Sequence, residues 1–162
     1  MNGAIWAADY IVALGNGVFT PMHVLKLTYI SHGYVLAIRN EPLFNDRIEA
    51  WKYGPVIPSL YNTLKEYGDG SVLKLHTCGT PLGSKEFLTR VDAIKKKIGE
   101  TKCKIIERVA KTYGVYSAMQ LSSITHCNGT PWHNTYDGSG YAEIPNEIIK
   151  SHYKEILVKN TK

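Results

Sequence analysis

Apolar side chains recur three and four positions apart in stretch after stretch of this sequence, and the gaps between stretches are filled with residues that start or stop helices. That spacing commits most of the chain to amphipathic helices, because side chains three and four apart share a face when the backbone turns once per 3.6 residues. A first helix is predicted from Ala4 to Leu14, with Ile5, Ala8, Ile11 and Val12 inward, stopped by Gly15-Asn16-Gly17, residues that accept left-handed backbone angles. A second opens at Thr20-Pro21, a hydroxyl cap followed by a proline whose missing N–H costs nothing in the first turn. It runs to Ile38 with Met22, Leu25, Tyr29, His32 and Leu36 on one face. Helical spacing returns from Pro58 or Ser59 to Tyr67, from Ser84 (an N-cap) to Ile98, from Thr101 to Tyr113, from Ser117 with Ala118, Leu121 and Ile124 inward, and from Asn146 to Val158.

The stretch from Arg39 to Pro58 breaks the pattern. Asn40-Glu41-Pro42 and Asn45-Asp46 are turn formers, Leu43-Phe44 is a short apolar step, and Ile48 to Trp51 is extended, which predicts a small hairpin. The following Tyr53-Gly54-Pro55-Val56-Ile57-Pro58 stays extended because each proline disfavours helical angles in the residue before it. From Gly68 to Ser84, five glycines and prolines predict a loop with room for a short strand over Val72 to His76, and Asn128 to Trp132 reads as another loop. The expected architecture is mainly α, of class α+β: a single-domain helical bundle of about six or seven helices with a small β-hairpin, over residues 1–162. A chain of this length buries enough surface to fold without staples. Cys78, Cys103 and Cys127 are odd in number and form no Cys-x-x-Cys pair, so they are expected to be reduced thiols.

Several classes of function are disfavoured at this level. No apolar run approaches the roughly 18 residues needed to span a bilayer. Met1-Asn2-Gly3-Ala4-Ile5-Trp6 lacks the basic start of a secretory signal, so the expected compartment is the cytoplasm. The six histidines form no close ligand pair, and there is no phosphate-cradling glycine loop, so neither a metal nor a cofactor is expected. The net charge of +5 equals the local excess between Lys85 and Lys111, where nine basic residues face four acidic ones. Phe87, Leu88, Val91, Ile94 and Ile98 keep helical spacing through part of that stretch, which favours a solvated helix face. The alternative is a nucleic-acid-binding regulator centred on Lys95, Lys96 and Lys97.

Catalytic pairings are weak. His126 and Cys127 are adjacent and point about 100° apart on a helix, so they cannot act as base and nucleophile together. Ser122 and His126 are four apart and could meet, yet no orienting carboxylate follows at a recognisable spacing. The informative residues are aromatics set among turn formers: Trp51, Tyr53, Gly54 and Pro55 in one place, Pro131, Trp132, His133 and Tyr136 in another. Rings on proline-stiffened loops lose little entropy on docking, so they suit a binding surface; the competing use of the two indoles is to plug the core between hairpin and helices.

These residues carry a resemblance. Leu25-Lys26-Leu27-x-Tyr29, then Leu43-Phe44-x-Asp46-x-Ile48-x-Ala50-Trp51-x-Tyr53-Gly54-Pro55-Val56-x-Pro58-x-Leu60-Tyr61, then Tyr113-Gly114, Ser117-Ala118-x-x-Leu121-Ser122-x-x-Thr125-His126 and Pro131-Trp132 resemble the Panacea domain, the SocA-like, phage-associated antitoxin family, in order and spacing over about residues 4 to 136. Gly68 to Ser84 is not matched by these motifs. The resemblance implies a mainly helical single domain of bacteria, phages and prophages that is not an enzyme and neutralises a protein toxin encoded beside it. One branch of that family delivers its toxin to a cytosolic AAA+ protease. Relatives with an added amino-terminal DNA- or zinc-binding module regulate their own transcription, which is not expected here because little chain precedes Ala4. The expected partner-binding residues are Lys26, Tyr29, Trp51, Tyr53, Gly54, Pro55, Tyr61, His126 and Trp132.

Overall fold

One helix organises the rest. In the computed structural model, which describes residues 3–161, α2 (Pro21–Arg39) has every residue from Val24 to Leu36 buried, polar ones included. Met1, Asn2 and Lys162, the ends of the expected domain, lie outside the described residues. The expected single inward face of this helix is therefore too narrow: α1 (Ala4–Gly15), α5 (Glu100–Tyr113), α6 (Ala118–His126) and α8 (Asn146–Asn160) surround it. Met22, expected inward, is exposed at the first turn, outside that sheath. Thr20 caps the helix as predicted, accepting from His23 N–H while His23 Nδ1 accepts from Thr20 N–H. Gly33 lets α8 approach closely, because the Tyr153 ring occupies the space its side chain would fill.

The bundle is completed by α3 (Pro58–Leu64), which tightens into a 3-10 turn at Lys65–Tyr67, by α4 (Phe87–Ile98) and by the short α7 (Pro131–Thr135). Eight α-helices stand among the described residues, against the six or seven expected, and the addition is α7. Thr130 caps it, accepting from His133 N–H, and Pro131 enters its first turn, so the expected 128–132 loop holds a helix start. Ser117 and Gln120 form the capping box that opens α6. Leu121 faces inward as expected, whereas Ile124 points to solvent.

The hairpin is real but its strands differ from the expected ones. β1 (Glu49–Trp51) pairs antiparallel with β2 (Gly54–Val56), with Glu49 opposite Val56 and Trp51 opposite Gly54, and β5 (Ala142–Glu143) adds to the other edge of β1. Leu43 and Phe44 serve the core instead, Phe44 stacking on His32 with ring centroids 4.2 Å apart. His32 is buried and neutral: Nδ1 accepts from Leu43 N–H at 3.3 Å and Nε2 donates to Asn146 Oδ1 at 2.9 Å. Burial pushes its pKa down to about 4.

The 68–84 segment folds as a second small hairpin, β3 (Lys74–Leu75) with β4 (Thr80–Pro81), in place of a strand over Val72 to His76. What holds it is Asp9 on the buried face of α1, whose carboxylate accepts from His76 N–H at 2.8 Å and from the Thr77 N–H and hydroxyl at 2.7 Å each. Ser84 does not cap α4; its hydroxyl is buried without a partner among the described residues, and the helix begins at Phe87. Leu88, expected inward on α4, is 74% exposed. Cys78 and Cys127 are exposed thiols and Cys103 a buried one. Among the described residues no helix is long and apolar enough to cross a membrane.

Candidate functional site

The β1–β2 hairpin lies on the bundle with its tip carbonyls gripped from three helices. Lys26 on α2 donates from Nζ to Pro55 O at 2.9 Å and to Tyr53 O at 3.4 Å. Ser122 on α6 donates to the same Tyr53 carbonyl at 2.7 Å, and Trp132 on α7 donates its indole N–H to Trp51 O. Carbonyls 51, 53 and 55 are thus each satisfied by a side chain from a helix. Gly54 is required at the centre of this grip: its φ is +118°, and a Cβ there would stand 2.8 Å from Lys26 Nζ and 3.4 Å from Thr125 Oγ1.

The rings follow from this frame. The Trp51 indole N–H is spent on Glu49 Oε1 at 2.9 Å, two residues back on the same strand face, and the ring meets Tyr61 of α3 edge-on, centroids 4.9 Å apart. Trp132 stacks on Tyr136 at 4.7 Å and takes His126 edge-on at 5.2 Å. Both indoles are half-buried, so each uses one side for the fold and leaves the other near the surface. Tyr53 stands out at 64% exposure, with Lys52 Nζ 5.4 Å from its ring, and Tyr61 is 37% exposed.

Eight of the nine residues expected to bind a partner meet in this one place, although they come from four separate stretches of chain. Their depths differ. Lys26 is 1% exposed and lies beneath the hairpin, and Gly54 and Pro55 are buried. Tyr29 is elsewhere: it is equally buried, packed edge-on against Tyr153 in the core, its hydroxyl without a partner among the described residues. Neither Lys26 nor Tyr29 therefore presents surface. Ser122 was expected only as a weak nucleophile candidate, and the structure gives it the clamp on Tyr53 instead. Its i,i+4 spacing to His126 was the visible signal, but the hydroxyl proton goes to the hairpin, and His126 Nδ1 engages the Ser122 carbonyl of its own helix. Ser122 Oγ also lies 3.4 Å from His126 Nδ1, while Cys127 Sγ is exposed and leans on the Ile124 carbonyl at 3.6 Å.

Among the described residues Lys26 has no carboxylate partner, only carbonyls, and burial pushes its pKa down to about 7. An unfolded lysine titrates near 10.5, so between these values the unfolded chain holds a proton that the folded chain has released. Stability contributed at this position is lowest below about pH 7, where the fold bears the buried charge, and rises as pH increases through the window. The free energy of unfolding of the wild type relative to Lys26→Met is expected to rise from pH 7 to 9, by at most about 1.4 kcal/mol per pH unit. Parallel curves for the two proteins in urea titrations would contradict it.

The basic triplet has its own structural explanation. Lys95, Lys96 and Lys97 form the last turn of α4, where cations complement the negative end of the helix dipole. Lys95 lies 6.0 Å from the Tyr10 ring and Lys97 5.6 Å from the Trp6 ring, both on α1. Among the described residues no three His, Cys, Asp or Glu side chains come together as a metal site.

The family model described as "Antitoxin SocA-like, Panacea domain" matches residues 24–133, a span that contains the whole hairpin, Lys26, Ser122, His126 and Trp132. The chain belongs to the SocA-like Panacea family. It is also 30% identical over 135 residues to the antitoxin SocA of Caulobacter vibrioides (strain NA1000 / CB15N), an alignment covering 80% of this chain and 69% of that protein. No solved structure matches. The family span is shorter than the 4 to 136 expected from the motifs, and it omits α1 and α8 while keeping every contact of the hairpin grip. In this Panacea chain, then, the residues that fix the hairpin on α2, α6 and α7 all lie within the matched span.

Proposed function

We propose that this chain is an antitoxin that neutralises a protein toxin by binding it, with the β1–β2 hairpin and the adjoining face of α3 as the docking element. Membership in an antitoxin family supports the role, and one observation carries the site: the carbonyls of Trp51, Tyr53 and Pro55 are all tied down from below, so Tyr53 projects from a base that cannot yield. A ring held that way surrenders little entropy on docking, which is the property shared by interface hot spots. Lys26, Gly54, Pro55, Ser122 and Trp132 support the surface; Tyr53, Tyr61, Lys52 and the outer edge of Trp51 make it. Capture over a standard interface of roughly 1,200 to 2,000 Å² needs no catalytic group.

The test uses side chains that stand exposed on the surface. Tyr53→Ala with Tyr61→Ala is expected to weaken toxin binding by about a thousandfold, on the scale of about 2 kcal/mol per hot spot, and to abolish rescue of cells carrying the neighbouring toxin. A folded double variant that still protects cells would remove the hairpin assignment. Delivery to a cytosolic AAA+ protease begins with the same capture, and the half-life of the toxin with and without this chain separates delivery from masking.

A further inference from the structure

A cavity of about 610 Å³ lies away from the hairpin, where the C-terminal ends of α2 and α8 meet α5. Ile38 and Leu157 form apolar walls together with Ile105 and Val109 of α5. At its base the Tyr34 and Tyr113 hydroxyls lie 2.6 Å apart. Two hydroxyls carry two protons and that contact uses one, so the pair has an O–H left to give, and neither oxygen has another partner among the described residues. Lys104 and Arg108, four apart on α5, flank the opening. Arg108 makes no ion pair among the described residues, and Lys104 has only the exposed Glu100 at 3.1 Å, a contact worth little in water. The C-termini of α2 and α8 each contribute about half a negative charge, which two full cations outweigh.

From this combination we infer that the α2–α5–α8 cavity binds a small carboxylate with an apolar body, its chain against Ile38, Ile105 and Leu157 and its carboxylate between Arg108, Lys104 and the tyrosine pair. The size fits: ligand sites of this kind run from about 300 to 1,000 Å³, mostly apolar with a few convergent polar groups. A peptide suits the site less well, because the middle of α5 has spent its backbone N–H and C=O groups within the helix and offers nothing to another main chain.

Dodecanoate, used well below micelle formation, is the probe. Calorimetry on the full chain is expected to give one site, with dodecanol at least tenfold weaker. Arg108→Gln with Lys104→Gln, both at exposed positions, should weaken dodecanoate at least tenfold and leave dodecanol unchanged. Ile105→Trp, which fills the cavity, should abolish both, with circular dichroism matching the wild type. Failure of the wild type to bind dodecanoate, equal affinity for acid and alcohol, or undiminished binding by the double Gln variant would each overturn the site.

Discussion

Gly33→Ala is expected to destabilise this protein by about 2 kcal/mol, although the same change at an unencumbered helix position gains about 1 kcal/mol. The reversal comes from Tyr153. A Cβ at residue 33 would stand 2.2 Å from Tyr153 Cδ2 and 2.3 Å from Cε2, and the ring cannot retreat because it is buried and braced by Tyr34, centroids 4.8 Å apart, and by Tyr29 at 6.3 Å. Displacing it opens the α2–α8 contact, so Gly33→Leu should cost more, about 4 kcal/mol against a total of only about 5 to 15 for a typical domain. Urea unfolding of Gly33→Ala, Tyr153→Leu and the double variant decides it. The double variant should lose clearly less than the two singles added, because shortening Tyr153 makes the room. A Gly33→Ala protein as stable as the wild type would mean that the helices do not cross this closely.

The second large effect belongs to the hairpin. Gly54→Val should lose about 3 kcal/mol of stability and, before the fold is lost, the capture of toxin. Two costs combine: a β-branched residue is forced to a φ of +118°, and its Cβ enters the space of Lys26 Nζ at 2.8 Å. Lys26 is fixed by the Pro55 and Tyr53 carbonyls, so moving it orphans a buried acceptor in a segment whose rigidity the docking surface depends on. Toxin binding measured at a temperature where circular dichroism still reports the helices should fall at least tenfold. Wild-type affinity in a folded Gly54→Val protein would show that the grip on the hairpin has no bearing on recognition.

Much of the helical scaffold was legible because its signals are local. Thr20-Pro21, Ser117, and Gly15 to Gly17 act on backbone groups one turn away, and the helices start and stop beside them. Ser84 shows the limit of the same reasoning: a serine three residues before Phe87 looks like a cap, but whether its hydroxyl reaches a helix N–H depends on the path of the β4–α4 connection. The strand assignment failed at Leu43-Phe44 for a related reason. An apolar pair beside a turn suits a strand or a core plug equally, and the stacking of Phe44 on His32 selected the plug.

The candidate site was legible as a set of residue types and not as an arrangement. Trp51, Tyr53, Gly54 and Pro55 are neighbours in sequence, so their shared location needed no fold, and the motif spacing that links them to the Panacea family is a property of the chain alone. Which of them supports and which presents was decided elsewhere. Lys26 is 27 residues from the Tyr53 carbonyl it holds, Ser122 is 69 away and Trp132 is 81 from Trp51, and no periodicity reports distances of that kind. Helix-forming tendency and family membership thus reside in short-range spacing, because capping and turn preference act within a few residues. The sinking of Lys26, the clamp made by Ser122 and the outward stance of Tyr53 arose only when α2, α6 and α7 closed around one hairpin, since a buried carbonyl takes whichever donor the packing brings to it.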